Sequence, residues 1–123
     1  KKKILLVDDE RLMCDILRLF LREMGEDVSA FVSPEEALNE FKNNSQQFDM
    51  LVTDYAMPKM NGLELIEKIQ AIRSNILCVL ISGNPLSHLE TDQDELSKRK
   101  IRYIQKVIPL TKVAEEIMEV FEK

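Results

Sequence analysis

Runs of apolar residues with little polar alternation occur at three places in the chain. They are ILLV at 4–7, MLVT at 50–53 and ILCVLI at 76–81, and each is short enough for a strand. Strands that are covered by helices on both faces have this composition, because neither face meets water. Two weaker runs, VSAF at 28–31 and RYIQK at 102–106, complete a set of five predicted strands.

Apolar residues at spacings of three and four predict helices between these strands. In the first helix the apolar stripe consists of Met13, Ile16, Leu17, Phe20, Leu21 and Met24. Gly25 follows it as a C-terminal cap. SPEEALNEF predicts a second helix, with a capping box between Ser33 and Glu36 and with Pro34 at its first position. LELIEKIQAI predicts the third. The apolar face of the last helix consists of Val113, Ala114, Ile117, Met118 and Phe121.

The fourth helix is the weakest of the five. LSHLETDQDELSKRK supplies only Leu86, Leu89 and Leu96 as apolar positions and has no glycine near its end, which predicts a short, mobile or partly irregular element. Five strands that alternate with five helices predict an α/β domain with a parallel sheet and right-handed crossovers. We expect the strand order 2-1-3-4-5, in which ligands bind beyond the carboxyl ends of strands one and three.

Acidic residues stand where these two strands end. Asp8, Asp9 and Glu10 follow strand one, and Asp54 ends strand three. Neighbouring strands lie ~4.8 Å apart, so the carboxylates are expected to converge. Their mutual repulsion would raise their pKa values unless a cation neutralises them. Oxygen ligands that include one or two carboxylates are typical of a Mg²⁺ site that receives a phosphate.

Each of these motifs alone also has a purely structural explanation. An aspartate at a strand-to-helix junction is a common helix N-cap. DYAMPKMNG, with Pro58 and Gly62, reads as a turn, Ser82 in SGNP as a helix cap, and Lys106 as a solvated lysine. The shared position of all four motifs at carboxyl ends of predicted parallel strands favours a functional site.

Composition and charge limit the classes of function that fit the chain. The chain has 123 residues and 45% hydrophobic content, which fits a single domain over residues 1–123. Lys and Arg number 17 against 22 Asp and Glu, and the net charge of -5 disfavours nucleic-acid contact. No apolar run approaches the ~20 residues of a membrane span, and KKKILLV is too short for a signal peptide, so we expect a cytoplasmic protein without membrane contact. Cys14 and Cys78 are expected to be buried, reduced thiols.

Together, these residues resemble the receiver domain of two-component response regulators, over essentially the whole chain. The resemblance implies a flavodoxin-like (βα)5 three-layer sandwich with sheet order 2-1-3-4-5. The residues that carry it are the acidic pair Asp8 and Asp9, then Asp54, Pro58, Gly62, Ser82, Tyr103 and Lys106.

The resemblance implies that Asp54 is a phosphoacceptor. A histidine kinase or a histidine phosphotransfer protein would donate the phosphoryl group. Mg²⁺ would be held by Asp9, Asp54 and the backbone carbonyl of Ala56, and by Asp8 mostly through water. The domain would catalyse only its own phosphorylation and dephosphorylation, so it would not be an enzyme in the usual sense.

The resemblance also implies a switch. Lys106 would neutralise charge on the phosphoryl group, Ser82 would hydrogen-bond to it, and Tyr103 would turn into the space that the Ser82 loop leaves. Helix four, strand five and helix five would form the output face, read by a downstream output domain or a partner protein. Phosphorylation-dependent homodimerisation through helices four and five is left open.

Two departures from the family's pattern lie near this output face. Val107 follows the lysine where the family usually has proline, so we expect a trans Lys106–Val107 bond and a turn at Pro109. RKIRY stands where the family often has a Gly-Ala pair. The properties of the family's output face are therefore the ones that carry over least well to this chain.

Other functional classes fit the sequence less well. A pseudo-receiver that binds partners without phosphorylation is the main alternative, although the acid set is complete. A small-molecule phosphatase would need a second acid where Ala56 stands. A flavin site would need glycines and hydroxyls in place of the acids that follow strand one.

Overall fold

The computed structural model describes residues 1–122, which form five parallel strands and five α-helices. The strands are β1 (Lys3–Val7), β2 (Asp27–Phe31), β3 (Met50–Asp54), β4 (Leu77–Ser82) and β5 (Ile101–Gln105). The helices are α1 (Arg11–Glu23), α2 (Pro34–Asn44), α3 (Gly62–Ile72), α4 (Gln93–Lys98) and α5 (Leu110–Val120), with 3₁₀ turns at Ser45–Gln47 and Leu86–His88. The sheet order β2-β1-β3-β4-β5 confirms the predicted winding.

The sheet separates two apolar layers. Ile4 and Leu6 of β1 face the layer that contains α1 and α5, whereas Leu5 and Val7 face the layer that contains α2, α3 and α4. Every residue of β3 is buried. This two-sided burial explains why the central strands carry uninterrupted apolar runs.

Helix α1 ends as predicted, but its apolar stripe is narrower. Gly25 has φ +97°, and its amide donates to the Arg22 carbonyl at 3.0 Å. Met24, the last residue of the predicted stripe, lies at the C-cap and is 40% exposed. The buried stripe therefore ends one turn earlier, at Leu21. The fully buried residues of α1 are Cys14, Leu17 and Leu21.

The capping box predicted for α2 is only half present. The Ser33 hydroxyl accepts a hydrogen bond from the Glu36 amide at 3.2 Å, as expected of an N-cap. The Glu36 carboxylate does not complete the box within residues 1–122, and the Ser33 hydroxyl instead donates to Glu35. A complete box occurs at α3, where Asn61 and Glu64 each accept the other's backbone amide at 2.9 Å.

Helix α4 is short, as predicted. Leu96 is fully buried and Leu89 is 9% exposed, but only six residues are helical. Lys100 adopts φ 59° two residues beyond the helix, in the left-handed region that usually favours glycine. The element is therefore both brief and irregular at each end.

The peptide bond after Lys106 and the two cysteines match smaller predictions. The Lys106–Val107 peptide bond is trans, as predicted, and within residues 1–122 the cis bond is Ile108–Pro109. Cys14 and Cys78 are buried free thiols, and burial raises the pKa of Cys78 to about 12. No helix in the described part of the chain is both long and apolar enough to cross a membrane.

Candidate functional site

Parallel pairing of β1 and β3 brings three carboxylates together. Val7 pairs with Thr53, so Asp8 and Asp54 emerge side by side at the carboxyl edge of the sheet. Carboxylate oxygens of Asp8, Asp9 and Asp54 lie within 4.8 Å of one another. Asp8 and Asp54 are only 4% and 8% exposed. The predicted convergence of the acids is confirmed for these three residues.

Glu10 does not join them. It is the N-cap residue of α1 and is exposed, because the chain turns outward as the helix begins. The Glu10 amide donates to Asp8 Oδ1 at 3.0 Å, whereas α1 has no side-chain cap bond at its N-terminus. No side chain of these acids caps an amide inside α1, so helix capping does not explain why they converge.

Lys106 faces this cluster from the end of β5. Its Nζ lies 3.3 Å from Asp8 Oδ2 and 3.3 Å from Asp54 Oδ1, and its backbone amide donates to the Ser82 carbonyl at 2.7 Å. These two ion pairs are the only salt bridges within residues 1–122. One ammonium against the three carboxylates leaves a formal charge of about −2 when all of them are ionised.

Burial dominates the electrostatics of Asp54. It raises the pKa of Asp54 to about 6, the Lys106 ammonium opposes this shift, and the charges of Asp8 and Asp9 add to it. Burial lowers the pKa of Lys106, but the Asp54 and Asp8 carboxylates outweigh it, so that the pKa of Lys106 is raised. At neutral pH the lysine is charged and Asp54 is mostly ionised.

The donor set fits a hard divalent cation. All three converging side chains offer carboxylate oxygens, and a dication would cancel the charge that Lys106 leaves unbalanced. Ala56 is exposed two residues after Asp54, and the role of its carbonyl as a ligand stays a prediction.

The backbone of Asp54 is held from two sides. The Thr53 hydroxyl donates to the Asp54 carbonyl at 3.0 Å. From α3, Gly62 donates its amide to the Tyr55 carbonyl at 2.8 Å, and a Cβ on Gly62 would lie 2.4 Å from the Asp54 carbonyl oxygen. Sequence reasoning recognised Gly62 only as part of a motif and missed the Asn61 cap, although Asn-x-x-Glu before an apolar run indicates one.

Ser82 and Tyr103 meet at the start of the segment that leads to α4. Ser82 ends β4, is 3% exposed, and accepts the Asn84 amide at 3.0 Å. The half-buried Tyr103 donates its hydroxyl hydrogen bond to the Asn84 carbonyl. Ser82 caps no helix, since the N-cap of α4 is Asp92. The structure therefore places Asp8, Asp9, Asp54, Lys106 and Ser82 at one edge of the sheet, with Tyr103 beside them.

This fold and this site define a class of protein. The chain belongs to the response regulator receiver domain family, whose pattern matches residues 4–118. A two-component response regulator of Arabidopsis thaliana named ARR13 is 33% identical over 116 residues, which cover 90% of this chain and 19% of that protein. The chain thus spans about a fifth of the length of this curated relative.

Solved structures give the same fold. The response regulator TrrA of Thermotoga maritima, in a complex with Mg²⁺ and beryllofluoride, has 27% identity and a TM-score of 0.81 over 98% of this chain and 99% of that one. A complex of the histidine kinase ThkA with TrrA gives 27% identity and a TM-score of 0.78 over 98% of each chain.

Proposed function

We propose that this receiver domain accepts a phosphoryl group on Asp54 from a histidine kinase or a histidine phosphotransfer protein. The observation that carries the proposal is the position of Lys106, whose ammonium lies 3.3 Å from both Asp8 and Asp54 within a buried acidic cluster. A merely structural ion pair would need one carboxylate, whereas this site concentrates three.

Asp54 is the nucleophile in this proposal. A carboxylate oxygen attacks the phosphorus of a phosphohistidine, an O–P bond forms, and the N–P bond breaks with its electron pair going to the histidine nitrogen. The product is an aspartyl phosphate and a histidine that takes up a proton. With its pKa at about 6, Asp54 is mostly in the required ionised form at neutral pH.

Asp9, Asp54 and the Ala56 carbonyl would hold Mg²⁺, and Asp8 would hold it mostly through water. The bound ion would offset the repulsion between an anionic carboxylate and an anionic phosphoryl group. The relative TrrA forms a complex with Mg²⁺ and beryllofluoride, which supports this choice of metal.

Lys106 and Ser82 are suited to bind the phosphoryl oxygens. The Lys106 ammonium already spans Asp8 and Asp54, so it can follow the added negative charge without leaving the cluster. The Ser82 oxygen accepts from the Asn84 amide, and its own O–H can donate to a phosphoryl oxygen. Movement of Ser82 toward the phosphoryl group would draw Asn84 with it and remove the acceptor of Tyr103.

The result is a population shift between two conformations of the output face. This face comprises α4, β5 and α5, and a downstream output domain or a partner protein reads it. A phosphorylation-dependent homodimer through the same face is one form that this readout can take. The ThkA complex with TrrA supports a histidine kinase as the upstream partner.

Intact mass spectrometry tests this function. The native chain is incubated with acetyl phosphate and Mg²⁺, alongside Asp54→Asn, a chelated sample and the control Asp27→Asn, whose exposed side chain lies at the opposite edge of the sheet. We expect a metal-dependent gain of one phosphoryl group in the native and Asp27→Asn chains. A gain that persists in Asp54→Asn would overturn the assignment. No gain from acetyl phosphate or from a histidine kinase would favour a pseudo-receiver.

A further inference from the structure

Gln70 of α3 makes an unusual contact with the end of α4. Its side-chain amide donates to the Arg99 carbonyl at 2.7 Å and lies 3.9 Å from Cys78 Sγ. Arg99 is the C-cap residue of α4, where carbonyls have no partner within the helix. The half-buried Gln70 side chain of α3 therefore gives the carbonyl at the end of α4 a hydrogen-bond partner.

Two further contacts fix the same end. Leu96, one turn before Arg99, is completely buried in the core. Strand β5 begins at Ile101 and pairs there with Cys78, the residue that Gln70 also approaches. The last turn of α4 is thus held by apolar packing, by the sheet and by the Gln70 amide.

The residues between Ser82 and α4, at 83–92, are held much less firmly, and we call them the connecting segment. They include one 3₁₀ turn, Leu86–His88. Most of their side chains are exposed, and only Leu89 is buried. Asn84, at the end next to the site, bonds to both site side chains: its amide donates to the Ser82 hydroxyl, and its carbonyl accepts from the Tyr103 hydroxyl.

We propose that Gln70 makes the last turn of α4 a fixed point, so that switching at the site rearranges the connecting segment and stops at Leu96–Arg99. This inference rests on the proposed function, because it concerns how that switch reaches the output face. The C-terminal end of α4 is held by packing and by hydrogen bonds. The connecting segment before α4 has few contacts that switching would have to break. A partner would then read a remodelled segment at 83–92 beside a stationary last helical turn.

Amide hydrogen exchange by NMR tests the inference. The reporters are the amides of Asn84, His88 and Leu89 in the connecting segment, and those of Leu96, Arg99 and Lys100 at the end of α4. In the native chain, beryllofluoride with Mg²⁺ is expected to change exchange at least threefold in the first group and less than twofold in the second. Equal changes in both groups would overturn the proposal.

Gln70→Met tests the contact itself, because methionine has a similar length and no donor. In the free protein we expect exchange at Arg99 and Lys100 to accelerate about three- to tenfold. The matched control is Gln93→Met, which removes an exposed side-chain bond to Ser97 in the same helix. If both variants exchange alike, Gln70 is not the anchor.

The two proposals fail separately. Fluorine NMR shows whether beryllofluoride binds, and a chain that does not bind it would contradict the proposed function. The comparison of Gln70→Met with Gln93→Met in the free protein does not depend on that binding. If Gln70→Met does not fold, the native chain alone still decides whether the change stops at Leu96.

Discussion

Helices α3 and α4 flank the same site but differ in how they begin and end. Helix α3 starts at Gly62, after the loop that follows Asp54, has 11 residues and has a complete capping box. Helix α4 has six residues and follows an irregular segment. It ends near Lys100, a lysine in the left-handed conformation.

The difference indicates which side of the site is rigid. The α3 side fixes the backbone of Asp54, which must present its carboxylate in one position. The α4 side begins at Ser82, whose contacts must change if a phosphoryl group is to alter the surface. Regions that move in switching are drawn from the least stable parts of a fold, so the few contacts on the α4 side suit the proposed switch.

Gly62→Ala should have the largest effect on this comparison. Its Cβ would lie 2.4 Å from the Asp54 carbonyl oxygen and 2.8 Å from Leu80, and the backbone cannot move aside without moving Asp54. We expect a loss of about 3 kcal/mol in the free energy of unfolding, measured by urea denaturation.

Gly83→Ala is the matched control on the α4 side. A Cβ there meets nothing within 4 Å, so we expect a change of no more than about 0.5 kcal/mol. Similar losses in the two variants would show that the two sides are equally constrained.

Asp54→Asn tests how much the buried charge of Asp54 alone changes the free energy of unfolding, because asparagine has nearly the same shape. The pKa of Asp54 rises from 3.8 to about 6 on folding, so the folded chain binds more protons in that range and stability falls as pH rises through it. Above this range the buried charge costs stability, and the amide removes that cost. In metal-free buffer at pH 7.5 we expect a gain of about 2 kcal/mol, which vanishes below about pH 4.

Urea denaturation across pH measures this gain. The control is Asp49→Asn, because Asp49 accepts the Lys3 amide at 2.8 Å and should lose stability when it is replaced. Saturating Mg²⁺ should stabilise the native chain more than Asp54→Asn. A loss of stability in Asp54→Asn without metal would mean that Lys106 more than compensates the buried charge.

The sequence predicted the sheet and the acidic cluster because both follow from the apolar runs. Once β1 and β3 are neighbours in a parallel sheet, Asp8 and Asp54 must emerge at the same edge. The contact of Gly62 with the Asp54 carbonyl could not be predicted, since it depends on how closely α3 approaches β3. The exposure of Glu10 likewise depends on the direction in which α1 leaves the sheet.

The helix ends also include features that the local sequence could not predict. Gly25 was predictable because glycine tolerates a positive φ, whereas Lys100 adopts a similar conformation without such a signal. The bond from Gln70 to Arg99 joins residues 29 positions apart, and neither residue type indicates it. Contacts of this kind are determined by tertiary packing and not by local propensity.

The two N-caps should respond differently to alanine. Asn61 and Asp92 each accept an N3 backbone amide at 2.9 Å, so the local bonds are alike. Asn61→Ala should lower the free energy of unfolding by about 1 kcal/mol, because α3 unfolds only with the whole domain. Asp92→Ala should lower it by less than about 0.5 kcal/mol while it speeds amide exchange in α4. Equal losses in urea would mean that α4 unfolds only globally.

Modest gains in stability are expected at the two lysines with positive φ, Lys59 at 70° and Lys100 at 59°. Glycine relieves the steric cost of this conformation but adds entropy to the unfolded chain, so each change to glycine should gain about 0.5–1 kcal/mol. For Lys59→Gly, on the α3 side, the gain should appear in urea denaturation. For Lys100→Gly it should appear as slower exchange at Arg99, with little global change, because α4 opens before the domain unfolds. A full global gain from Lys100→Gly would instead show that the end of α4 unfolds only together with the whole domain.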